Sequence, residues 1–303
     1  MRTIKKVASH IFIDGFGGMT QGLFATLIIG TMIQQIGLLI GGSTGNVIYL
    51  LGKAAAALTS AGIGVGVAVK YGESPLVTVS AAVAAMVGGY AGKITGGTFF
   101  VDGNAVLAGP GEPLGAFIAA FAGITCGHLV SGKTKVDIIV TPVITIGAGS
   151  VVGLLVGPPI SQMMTGLGSI INWATEQRPF IMGIVVSVVM GMVLTLPISS
   201  AALGIILNLS GLAAGAATIG CCCNMVGFAV ASYRENKFGG LVAQGLGTSM
   251  LQVPNIMRHP LIWLPVIFSS AILGPVSTIL ANMQNNATGS GMGSAGLVGQ
   301  TTT

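Results

Sequence analysis

Three polar side chains with chemistry to offer stand close together in a stretch otherwise made of glycine, proline and apolar residues. They are Asp102, Asn104 and Glu112, within residues 95–117, TGGTFFVDGNAVLAGPGEPLGAF. Six glycines and two prolines in that stretch forbid one continuous helix, and Pro113 suits the first turn of a helix that begins near Glu112. A carboxylate in such a break can accept two hydrogen bonds from the hydroxyl groups of a sugar-like solute. Glu112 is therefore the first candidate ligand, with Asp102 and Asn104 beside it. The competing reading is that Glu112 complements a helix dipole in a solvated loop.

A second group of polar residues lies in the later half: Ser199, Ser200, Asn208, Asn224 and Gln244. Asn224 and Gln244 are carried as candidate solute ligands, and interhelical hydrogen bonding is the alternative for all five. His128 and His259 fall at expected span ends and read as interfacial. Cys126 and the run Cys221, Cys222 and Cys223 lack paired spacing, so neither a metal site nor a disulfide framework is expected. The segment GVGVAV around Gly64 has no strand before it, which argues against a phosphate-cradling loop. With no nucleophile and base pair in sight, an intramembrane enzyme has little support, and no cofactor is implied.

The elements that would position these residues follow from composition. Hydrophobic side chains make up 52% of the 303 residues and charged ones 6%, with a mean hydropathy of +0.90. A water-facing surface needs roughly a quarter charged residues, so the chain reads as an all-α, polytopic transmembrane bundle. Forty-nine glycines fit helices that pack closely or break. The net charge of +5 is scattered singly and in pairs, without the basic stripe that nucleic acid requires.

The intervals between charges measure the crossings against the ~20 residues that a membrane helix needs. Nineteen residues separate Glu73 from Lys93, twenty separate Glu112 from Lys133, thirty-eight separate Asp137 from Glu176, and fifty-five separate Arg178 from Arg234. These predict about nine crossings, with two spans hinged at Pro158 and Pro159. An irregular piece is expected within 197–232 and a membrane-dipping hairpin over 239–254. Cytoplasmic enrichment of Lys and Arg then places the N-terminus on the cytoplasmic side of the membrane. Residues 3–16 read as an amphipathic surface helix rather than a signal peptide, giving an interfacial segment 1–18, a permease-like domain 19–282 and a glycine-rich polar tail 283–303. That tail is expected to be mobile or to open a further helix.

GPGEPLGAF at 109–117 carries a G-x-x-E-P pattern that resembles the glutamate-bearing loop of the enzyme IIC sugar permeases of the bacterial phosphotransferase system. TPVITIGAGSVVGLLVGPPI at 141–160, LTLPISSAA at 194–202 and GMGSAGLVG at 291–299 are similar to the divergent enzyme IIC branch that includes the perfringolysin O regulator. The likeness spans nearly the whole chain. It implies a homodimeric permease that binds a sugar at Glu112, phosphorylated by separate IIA and IIB proteins at the inner face. Two functions stay open on this reading: a carrier that translocates the solute, and a regulator of the same fold that reports on it without phosphorylation-coupled transport.

Overall fold

In a computed structural model of the chain, the described residues are 14–107, 109–198, 200–207 and 209–303. Residues 1–13 lie outside them, and with them most of the expected surface helix. Ser199 and Asn208 are likewise outside. The described residues form two compact units, one of those up to 30 with 50–162 and the other of 31–49 with 163–303.

The elements are almost all helical. They run as α1 (Phe16–Ile40, with a π-helical stretch at Phe24–Ile28), α2 (Gly42–Ala57), α3 (Thr59–Lys70), α4 (Pro75–Gly89), the short α5 (Ala91–Thr95) and a two-stranded hairpin of β1 (Phe100–Val101) and β2 (Asn104–Ala105). There follow α6 (Pro113–Val130), α7 (Asp137–Thr175), α8 (Pro179–Thr195), the short α9 (Ser200–Ile206), α10 (Gly211–Ala231) and α11 (Tyr233–Val242). A π turn at Ala243–Gly247 and a 3-10 turn at Ser249–Gln252 lead into α12 (Val253–Arg258), then α13 (Pro260–Leu280), α14 (Ala287–Ser290) and α15 (Val298–Thr301).

Five of these helices are long and apolar enough to cross a bilayer: Phe16–Ile40, Pro113–Val130, Asp137–Ile160, Gly211–Ala231 and Pro260–Leu280. The pair α2 and α3, bent by 53° at its break, is either a sixth, broken span or a re-entrant loop. The expected nine crossings are not reached by length and composition, for two physical reasons. At 15 and 17 residues, α4 and α8 fall short of the ~20 that span the hydrocarbon. The interval expected to hold two hinged spans is one helix, Asp137–Thr175, with Pro142, Pro158 and Pro159 inside it.

Lipid is as apolar as a leucine side chain, so contact between helices comes from close fit rather than from exclusion of water. In the first unit Gly18 and Gly22 of α1 face Gly62 and Gly66 of α3; a Cβ on Gly18 would lie 2.6 Å from the Gly66 carbonyl oxygen. Gly88 of α4 and Gly115 of α6 meet in the same way. Met19, Leu23, Ile63, Val67, Val77 and Phe117 fill the spaces around these seams. In the second unit Gly191 of α8 meets Gly220 of α10, and Gly183 of α8 meets Gly274 of α13. Val186, Met190 and Met225 are buried beside them.

Two broken stretches fall in segments that glycine and proline interrupt, whereas the bend at Leu58 has neither beside it. Helix α8 stops before Pro197, α9 is a short piece, and α10 restarts at Gly211 with φ of +58°. Residues 243–252 form the π and 3-10 turns in place of a regular helix. The C-terminal segment, expected as a polar tail, is folded into the second unit, and Ser290, Ser294, Ala295 and Val298 are buried. Its polarity is met internally: Ser200 Oγ donates to the Gly291 carbonyl at 2.6 Å, Ser294 Oγ to the Gly245 carbonyl at 2.5 Å, and Asn285 Nδ2 to Thr218 Oγ1 at 2.9 Å.

Candidate functional site

The G-x-x-E-P segment is held between two helix ends in the first unit. Glu112 is the extended residue (φ −91°, ψ +114°) just before α6, with Pro113 at the first helical position. Its backbone N–H donates to the carbonyl of Gly89, the last residue of α4, at 2.7 Å. Gly111 has φ of +78°, and a Cβ there would collide with Ser60 Oγ, so neither its torsion nor its surroundings admit another residue.

Hydroxyl groups fasten the two residues before it. Ser60, wholly buried in the first turn of α3, donates from Oγ to the Pro110 carbonyl at 2.9 Å. Tyr90, 1% exposed at the end of α4, donates from its phenol to the Gly109 carbonyl. The Tyr90 ring packs on Phe99 with centroids 5.4 Å apart, and Lys93 Nζ lies 5.4 Å from its centre. The Glu112 carboxylate makes no capping hydrogen bond to α6, and its Oε1 is shielded from solvent. A carboxylate here gains from the positive end of α6. It stands where the backbone is irregular, which at membrane depth must be buried in protein or must line a wet cavity.

Asp102 and Asn104 come from the same loop but sit farther along it. Asp102 (φ +51°) and Gly103 (φ +76°) make the tight turn of the β1–β2 hairpin, and Asn104 Nδ2 donates to the Asp102 carbonyl at 3.3 Å. Both side chains are exposed at the hairpin tip.

Asn224 and Gln244 belong to the second unit, in two separate hydrogen-bonded sets. Asn224 is fully buried on α10. Its Oδ1 accepts from Trp263 Nε1 at 3.1 Å and Thr195 Oγ1 at 3.2 Å, while its Nδ2 donates to Ser270 Oγ at 3.2 Å and the Gly220 carbonyl at 3.1 Å. The amide thus ties α8, α10 and α13 together with its capacity filled, the interhelical alternative raised from the sequence. Gln244 Nε2 donates to Ser232 Oγ and its Oε1 accepts from Gln252 Nε2, both at 2.8 Å, and Asn255 Nδ2 donates on to Gln252 Oε1 at 2.9 Å. This chain of amides pins the broken 243–256 segment to the loop after α10. Ser200 bonds to the Gly291 carbonyl as noted.

His128 pairs with Glu73 at 3.0 Å, between the end of α6 and the loop before α4. His259 is exposed at the end of α12. The four thiols are free, and among the described residues no group of three or more His, Cys, Asp or Glu could hold a metal. At the end of α3, burial and then the Asp14 carboxylate push the Tyr71 phenol up to about 12. Sequence reasoning passed over Ser60, Tyr90, Thr195, Trp263 and Gln252. Ser60 and Tyr90 lie 52 and 22 residues before Glu112, so nothing local links them to it.

Helices of spanning length, broken at segments that carry buried polar groups, mark an integral membrane protein. The family model described as Phosphotransferase system, EIIC matches residues 13–303, and the chain belongs to that family. A search of the curated proteins finds no match. Membership makes the chain a membrane component of sugar transport.

Proposed function

We propose that the chain binds a sugar or sugar derivative through Glu112 and carries it across a bacterial plasma membrane, with its N-terminus on the cytoplasmic side. The observation that carries this reading is the position of Glu112, with a glycine carbonyl, a serine and a tyrosine fixing the backbone that presents it. A carboxylate so placed accepts two hydroxyl hydrogen bonds from one face of a sugar ring. Asp102 and Asn104 would meet the solute from the hairpin. Asn224 and Gln244 would act indirectly, by holding the second unit's helices. Broken helices beside the ligand suit alternating access, in which one bundle rocks against another. The working form would be a homodimer, and phosphorylation of the sugar would fall to separate IIA and IIB proteins.

Proteoliposomes carrying the protein, offered tritiated hexoses, N-acetylhexosamines and hexitols, test this reading. Saturable binding of at least one sugar is expected, and Glu112→Ala should abolish it while leaving the thermal transition in place. Undiminished binding by Glu112→Ala would remove the carboxylate from the site. Binding without flux, with or without added phosphocarrier proteins, would favour the regulator over the carrier.

A further inference from the structure

Two side chains outside the G-x-x-E-P segment control where that segment lies. Ser60 sits in the first turn of α3, two residues from the break at Leu58 where α2 and α3 bend by 53°. Tyr90 ends α4. Their hydroxyls grip consecutive carbonyls of the loop, Pro110 and Gly109, and Gly89, next to Tyr90, accepts the Glu112 N–H. Three points of attachment within four residues leave the backbone entering Glu112 little freedom.

Tyr90 reaches a second target. Its oxygen is 3.4 Å from the carbonyl of Ala57, the last residue of α2 before the break. A phenol has one proton to donate. It is given to the loop carbonyl, the nearer of the two, while the Ala57 carbonyl at the end of α2 lies in reach. The helix break and the Glu112 loop therefore meet at one hydroxyl.

We infer that Tyr90 and Ser60 are positioning residues for Glu112: they set the carboxylate's place relative to the α2–α3 break and so determine sugar affinity without touching sugar. This inference rests on the proposed role of Glu112. A misplacement of the order of 1 Å can cost an enzyme about a hundredfold in rate, and the hydrogen bonds of a ligating carboxylate depend on position in the same way. Losing one of three attachments should therefore weaken binding by at least about tenfold.

The test is a double-mutant cycle on full-length protein in nanodiscs, with the tritiated sugar that the native protein binds best as probe. Tyr90→Phe keeps the ring and its packing on Phe99 and removes only the hydroxyl; Ser60→Ala does the same for the other bond. Each should raise Kd at least tenfold in the native background and leave it unchanged in Glu112→Gln. The control Thr20→Val removes another buried hydroxyl of the same unit, one bonded within its own helix, and should leave Kd unchanged. Native affinity in Tyr90→Phe and Ser60→Ala overturns the inference, and so does an equal loss in both backgrounds. If Glu112→Gln itself binds like the native protein, or no sugar binds, the proposed role of Glu112 has failed instead. Hydrogen exchange of the 109–117 peptide then decides whether the two hydroxyls hold the loop: faster exchange in both variants is expected, and unchanged exchange refutes the anchoring.

Discussion

Replacing Asn224 by alanine separates a structural amide from a ligand. The amide makes three bonds to other helices, with Thr195 on α8 and with Trp263 and Ser270 on α13. Interhelical hydrogen bonds in membrane proteins average about 0.6 kcal/mol each, so their loss amounts to about 2 kcal/mol. Thr195 keeps the Gly191 carbonyl and Ser249, and Ser270 keeps the Val266 carbonyl, so neither hydroxyl is stranded. The indole N–H of Trp263 loses its acceptor in a half-buried position, which adds about 1 kcal/mol at the lower end of the penalty for an unmet donor. Asn224→Ala should therefore destabilise the protein by about 3 kcal/mol. Reversible unfolding in mixed micelles with increasing denaturing detergent measures this. Thr195→Ala and Ser270→Ala, each removing one bond to Asn224, should cost less. A stability within about 0.5 kcal/mol of native, with a clear fall in sugar affinity, would refute the reasoning and return Asn224 to the ligands.

Other consequences are equally direct. Among the described residues Thr145 Oγ1 is buried with no hydrogen-bond partner, so the near-isosteric Thr145→Val should raise stability by about 1 kcal/mol in the same assay. Gly22→Leu would drive a side chain into the Gly62 backbone across the α1–α3 seam; loss of the monodisperse peak on size-exclusion chromatography is expected, whereas Gly17→Leu, on a more open face, should be tolerated. The Tyr71 phenol is raised to about 12 against an unfolded value of about 10, so its contribution is complete below pH 10 and declines as pH rises towards 12. Tyr71→Phe should flatten the alkaline fall in stability over that window, and an unchanged slope would assign the fall to other groups.

What the sequence made legible follows what is local. Pro113 after Glu112 marks a helix start by covalent geometry alone, and the start is there. The glycines of 95–117 rule out a continuous helix, and a hairpin and a loop lie between the end of α5 at Thr95 and the start of α6 at Pro113. The crossing number was less legible because charge spacing measures an interval, not the helix inside it. The nineteen residues between Glu73 and Lys93 hold a 15-residue helix, since Ser74 caps α4 at one end and Tyr90 ends it at the other. The C-terminal segment misled for a related reason. Its serines, threonines and glycines look like a solvated tail because their partners, Thr218, Ser200 and Gly245, are supplied from more than forty residues away. The same distance hid Ser60. Glycine seams explain why such remote pairing is specific here: when Gly18 and Gly22 settle on Gly62 and Gly66, the register of α3 is set to within one residue. Ser60, two residues before that seam, is thereby delivered to Pro110. In this unit the small residues that let helices touch also determine which hydroxyl reaches the carboxylate's loop, and a substitution that shifts the α1–α3 register should move Glu112 without altering any residue around it.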